Sequence, residues 1–242
     1  MSNGNNFLGK PSFTSLGALA GKITDGLAKF MNKEQVDYWN KNQNQSELMS
    51  KLCEVFSIND EHLAERQHWQ DFYKEHFDWT VDFSRVLIPK KPGEFWRLIF
   101  IAKGMKMNKA MARCKDLFET SQNKDDFDAS VTQNIRTASE NYAVWVRDGL
   151  EPDHEFLGKS TKEADPDMKI GITLLERIIL EIKYFSETGN HLDLRGLTFC
   201  SGSRGSDGHV PSANWFGSWF RISWYGLDGS DSDYGVRSAI SL

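Results

Sequence analysis

A chain of 242 residues, 39% hydrophobic, 12% aromatic and 26% charged, has the composition of one large or two small folded domains. Its formal net charge of −5 argues against a general phosphate-backbone binder, so no nucleic-acid partner is expected. No apolar run reaches the length of a membrane span, and MSNGNNFLGKPSFTSLGALAGKITDGL lacks the basic start and compact apolar centre of a secretory leader. Cys53, Cys114 and Cys200 are odd in number and far apart, which suggests free thiols in a reducing, cytoplasmic setting with no zinc site; the missing span and a sparse basic face near the N-terminus suggest no membrane partner.

Residues 1 to 32 are rich in Gly, Asn and Ser, with a weak apolar pattern at Leu16, Leu19, Ile23, Leu27 and Phe30. Their glycines weaken any helix, and a flexible N-terminal arm is expected. Residues 33 to 78 read as a helical segment that would mount the protein or let it form a homo-oligomer. Ser46 can cap a helix carrying Leu48, Leu52, Val55 and Phe56; Asn59 or Asp60 can cap the next, with Leu63, Phe72, Tyr73 and Phe77 inward. His62, His68 and His76 miss the i, i+4 spacing of a helical metal pair and read as partly exposed helix surface.

At Trp79 the texture changes. DWTVDFSRVLIP alternates like a strand and KKPG turns it, while EFWRLIFIA is a stronger strand, aromatic and β-branched between turns. Asn108 opens a short helix, NKAMARCKDLF, with Met111, Cys114 and Phe118 on one side. SQNKDDFDASVTQN reads as a surface loop, NYAVWVRD as a strand, and EPDHEFLGKSTKEADPDMKIG as a long polar connection. The clearest helix is ITLLERIILEIKYFSETGN. Thr173 and Glu176 form a capping-box pattern, Leu175, Ile178, Ile179, Ile182 and Phe185 make its buried stripe, and Gly189 stands where a left-handed residue is wanted. LTFC and the glycine-punctuated remainder read as short strands. The order predicts an α+β domain over residues 79 to 242, with two helices on a mostly antiparallel sheet.

The last part of that domain, from about residue 200, is unusual. SANWFGSWFRISWYGLDGSDSDYG holds three of the eight tryptophans and has no Lys, Glu, Gln or Met. Phe220, Ile222 and Trp224 alternate with Arg221, Ser223 and Tyr225, so the first set is expected inside, together with Trp215, and the second outside. Aromatics with Ser, Gly and Asn are the residues of antibody paratopes: a ring gives large contact area for little lost rotamer freedom, and Ser or Asn adds adaptable hydrogen bonds. The composition therefore suits a recognition surface.

The segments WRLIFIAKGMKMNKA, NYAVWVRD, GITLLERIILEIKYFSETGNHLD, CSGSRGSDGHVPSANW and VRSAISL look like proteins of small-genome uncultivated bacteria that resemble the variable proteins of diversity-generating retroelements. The resemblance covers about residues 80 to 242. It implies a C-type-lectin-like domain whose C-terminal residues are rewritten through an error-prone copy of a template, at adenines. Randomised asparagine-type codons never give Lys, Glu, Gln or Met, in keeping with the composition above; Trp219 does not arise from such a codon. The resemblance and the alternation together imply a ligand-binding variable set of Gly205, His209, Ser212, Asn214, Phe216, Arg221, Ser223, Tyr225, Gly229, Ser230, Tyr234 and Gly235. They also imply fixed elements at Ser203, Arg204, Asp207, Gly208, Pro211, Trp215, Gly217, Trp224, Arg237 and Ala239. On this reading the protein is a non-catalytic recognition protein without cofactor, whose partner is a protein or other macromolecule.

Two rival chemistries stand beside it. Asp228, Asp231 and Asp233 could supply oxygen ligands to calcium in a carbohydrate-binding lectin module, although the distal Glu of a full Asp-rich loop is missing. Cys200 could serve as a thiol nucleophile, although no base is placed near it by spacing.

Overall fold

A computed structural model describes residues 31–39, 41, 51 and 62–242 of the chain. Two compact units divide it, Met1–Ala64 and Glu65–Leu242. In the first, helix α1 (Lys33–Trp39) opens on a reciprocal cap: Asn32 Oδ1 accepts from the Gln35 amide and Gln35 Oε1 from the Asn32 amide, both at 2.9 Å. Residues 1–30 of the arm expected over residues 1 to 32, and Leu48, Leu52, Val55 and Phe56 of the expected helix, lie outside the described residues, as do its cap Ser46 and the caps Asn59 and Asp60.

The second unit is mixed α+β. Its elements are α2 (Leu63–Phe77, of which it holds the part from Glu65 on), β1 (Trp96–Ile101), α3 (Met107–Leu117), β2 (Thr120–Gln122), α4 (Phe127–Ser130), β3 (Val131–Asn134), β4 (Tyr142–Arg147), a 3-10 turn (His154–Phe156) and α5 (Thr161–Ala164). They continue with α6 (Leu174–Thr188), β5 (Leu197–Phe199), β6 (Ser203–Gly205), β7 (Val210–Phe216), β8 (Trp219–Tyr225), β9 (Tyr234–Val236) and β10 (Ala239–Ile240). Three sheets result, in the orders β1-β4-β10, β2-β8-β7-β5-β9 and β3-β6. In the five-stranded sheet β5, β7 and β8 are antiparallel, while β2 and β9 join the two ends in parallel.

Helix α6 starts and stops where its caps dictate. Thr173 and Glu176 complete the capping box, and Gly189 ends the helix at φ 67°. Its apolar stripe, Leu175, Ile178, Ile179 and Ile182, joins β1, β4 and the inner face of β7 and β8 in one core. Helix α2 belongs to that core as well, so the boundary expected near residue 79 falls inside a compact unit. Trp69 and Tyr73 are buried; Trp69 Nε1 donates to the Leu98 carbonyl at 3.2 Å, and Tyr73 donates to the Phe100 carbonyl at 3.0 Å. His76, expected as helix surface, is buried against Phe72 and Arg113.

Three local expectations are corrected. DWTVDFSRVLIP is not a strand: side chains and local turns, rather than a ladder, take up its backbone groups. Arg66 donates to the Phe83 and Val86 carbonyls, Asn141 to the Asp82 carbonyl, and Phe83 and Val86 are buried. SQNKDDFDASVTQN is not a plain loop, since it holds the end of β2 and all of α4 and β3. β2 lies beside β8, with Ser121 opposite Arg221, and β3 pairs β6. The polar connection carries the 3-10 turn and α5, and that segment covers part of the five-stranded sheet.

Candidate functional site

The hairpin β7–β8 builds the site. Gly217, at φ 63°, takes the first central position of a two-residue turn between Phe216 and Trp219, where a left-handed conformation is required. Register then pairs Ser212 with Ser223, Asn214 with Arg221, and Val210 with Tyr225. Period two separates the faces. Inward go Ala213, Phe220 and Ile222, all within 1% of full burial, with Trp215 and Trp224 packed beside them. Outward go Arg221, Ser223 and Tyr225, each half-buried, and Phe216 and Trp219, each about half exposed at 55% and 45%.

A buried charge network underlies the sheet. Arg177, on the stripe of α6, lies 5.4 Å from the Phe220 ring and donates to Glu181 and to Asp193. Asp193 also takes Arg237, whose second Nη donates to the carbonyls of Arg147 and Gly149. All four charged side chains are buried, two positive and two negative. His191 accompanies them, 2.9 Å from Glu181 and stacked on Trp215 at 3.4 Å. The sequence carried a signal for this network: Arg177 and Glu181, i and i+4, stand within the apolar stripe of α6.

The other end of the outward face is covered. Phe156 and Ala164 pack on a second small core of Leu197, Phe199, Val210 and Val236. Phe199 supports Tyr225 and Tyr234 edge-on, at 5.6 and 5.9 Å between ring centres, and the two tyrosines lie at 75° to each other. The two phenol oxygens lie within hydrogen-bond reach at 3.4 Å, and that contact, with burial next, pushes the Tyr234 phenol up to about 12.

The expected variable set is thus sorted by the structure. Phe216, Arg221, Ser223, Tyr225 and Tyr234 share one open or half-open face. Gly229 and Ser230 sit in the adjoining loop, where a Cβ on Gly229 would lie 3.5 Å from Tyr225. Ser212 and Asn214 lie on the same face but are buried, Ser212 donating to the Ser223 carbonyl and Asn214 accepting from Arg221 Nε. Their expected outward presentation does not hold, because neighbouring side chains overlie them. Gly205 and Gly235 are buried too. A Cβ on Gly205 would stand 2.7 Å from Asp207 and 2.9 Å from Trp224, and one on Gly235 3.1 Å from Pro152. His209 is exposed and sits in the β6–β7 turn beside Asp207, outside the two strands of the hairpin. Trp219 completes the patch, although codon reasoning set it apart.

The rival sites look different. Asp228 is paired with Lys162 at 3.0 Å, Asp231 accepts from the Ser232 amide, and among the described residues no cluster of His, Cys, Asp and Glu gathers as a metal ligand set. Cys200 is fully buried, and burial above all raises its thiol far beyond the usual range, so it is protonated and shielded at neutral pH. Among the described residues no helix is long and apolar enough to cross a membrane.

Fold and site together define an α+β protein with a hairpin that carries an aromatic, serine-bearing outer face. Comparison with protein-family models, with curated proteins and with solved structures finds no match to this chain.

Proposed function

We propose that the protein is a recognition module of the C-type-lectin-like kind, non-catalytic and without cofactor, whose outer β7–β8 face binds a macromolecular partner, most simply a protein. We further propose that this face is the diversified end of a retroelement-rewritten gene and that the module works in the cytoplasm. The observation that carries the reading is the clean division of β8: Phe220 and Ile222 are buried in the core while Trp219, Arg221, Ser223 and Tyr225 stand outward between rings. Support also comes from α3 and α6 packed on the sheet and from the last strand, β10, returning to β4. Exposed Phe216 and Trp219 are anchors of the kind that carry binding energy at protein interfaces.

Sequencing the DNA around the gene tests the proposal. A nearby partial copy of its 3′ end should differ mainly at adenines, in codons for outward residues such as Arg221, Ser223 and Tyr225, and should be unchanged at Phe220 and Ile222. A locus with no such copy and no reverse transcriptase would remove the retroelement part of the reading.

A further inference from the structure

Arg221 is the one charged residue in either strand of the hairpin. Its guanidinium is held in two ways. Nε donates to Asn214 Oδ1 at 3.1 Å, and the group lies 4.1 Å from the centre of the Phe216 ring. No carboxylate among the described residues pairs with it, whereas the nearby cations Lys124 and Lys162 are each matched to an aspartate. Half-buried, with its plane fixed and both terminal nitrogens uncommitted, Arg221 presents a two-pronged donor. Exposed Trp219 flanks it, and Ser121 of β2 stands opposite it in register. A planar fork with one edge occupied and one open fits the two oxygens of a carboxylate.

We infer that the partner is a protein that offers an acidic segment here, an Asp or Glu side chain received by Arg221 beside an apolar residue laid on Phe216 and Trp219. This rests on the proposed binding role of the face and specifies its ligand. The energetics favour it: a partly desolvated cation without a counter-ion gains more from a carboxylate than an exposed one does, and the aromatic rim limits access of competing water. Lysine at this position would keep the charge and lose the fork.

A random-peptide display library panned against the full chain tests the inference, with R221Q, R221K and a paired F216A/W219A variant as counter-screens. Thermal melts of the variants guard against unfolding. Enriched peptides should carry Asp or Glu next to an aromatic or aliphatic residue. Their affinity should fall at least about tenfold on R221Q, less on R221K, and should weaken with added salt. Peptides that bind, lose binding on F216A/W219A, yet need no acid and ignore R221Q would overturn the inference and leave the binding face standing. Failure to enrich any peptide sensitive to either change would overturn both.

Discussion

Asp193 offers the sharpest probe of what holds the face in place. Its two oxygens take Arg177, at 3.1 and 2.9 Å, and Arg237, at 2.8 Å, and all three side chains are buried. Asp193 also sits at φ 55°, a conformation that Asn tolerates as readily as Asp does. Asp193→Asn therefore leaves backbone and volume unchanged while removing one charge and turning an amide donor towards a guanidinium donor. The buried group of Arg177, Arg237, Glu181 and Asp193 goes from neutral to an excess positive charge. Breaking a buried pair from one side costs about 3–5 kcal/mol. For a unit of this size each kcal/mol lowers Tm by about 2–4 °C, so a fall of roughly 6–20 °C is expected. Urea unfolding followed by tryptophan fluorescence supplies the free energy. In a double-mutant cycle, D193N with R237Q should cost at least about 1 kcal/mol less than the sum of the single changes, since the stranded cation is then gone. A loss under about 1 kcal/mol for D193N, or strict additivity, would refute the idea that these charges are desolvated and mutually dependent.

Other consequences follow from packing and titration. Gly205→Ala should destabilise by about 1–3 kcal/mol, because its Cβ meets Asp207 and the Trp224 ring at under 3 Å; a melt unchanged from the parent would reopen Gly205 as an exchangeable position. Burial raises the Glu176 carboxyl, but Arg136, with bonds from Thr173 and Tyr142, outweighs it and leaves the group below its ordinary 4.5. A lowered folded-state value means stabilisation that is complete above the unfolded value and lost as pH falls through the folded one. Glu176→Gln should thus be less stable at neutral pH and should lose less stability than the parent on acidification below about pH 4.5; equal losses would contradict this.

Much of the scaffold was legible because local signals agreed. Helix α6 announces itself by Thr173, Glu176, its stripe and Gly189, β1 and β4 by runs of β-branched and aromatic residues, and β8 by alternation. What escaped depended on distant partners. TSQ becomes strand β2 only because β8 lies beside it, and DWTVDFSRVLIP loses its ladder to Arg66 and Asn141, donors far away in the chain. For the site, alternation correctly separated Phe220 and Ile222 from Arg221, Ser223 and Tyr225. It could not show that Phe156 and Ala164 roof the neighbouring strands, or that Ser212 and Asn214 end beneath other side chains. A strand's period gives a face, and only tertiary structure says whether the face is open.

The most direct test pits the two sides of β8 against each other. Two libraries are built, one randomising Phe216, Arg221, Ser223 and Tyr225, the other Ala213, Phe220 and Ile222, and folded members are counted by protease resistance on a display surface. A scaffold that holds exchangeable side chains outward predicts that most members of the first library survive and few of the second do. Similar survival in both, or greater loss from the first, would contradict that claim.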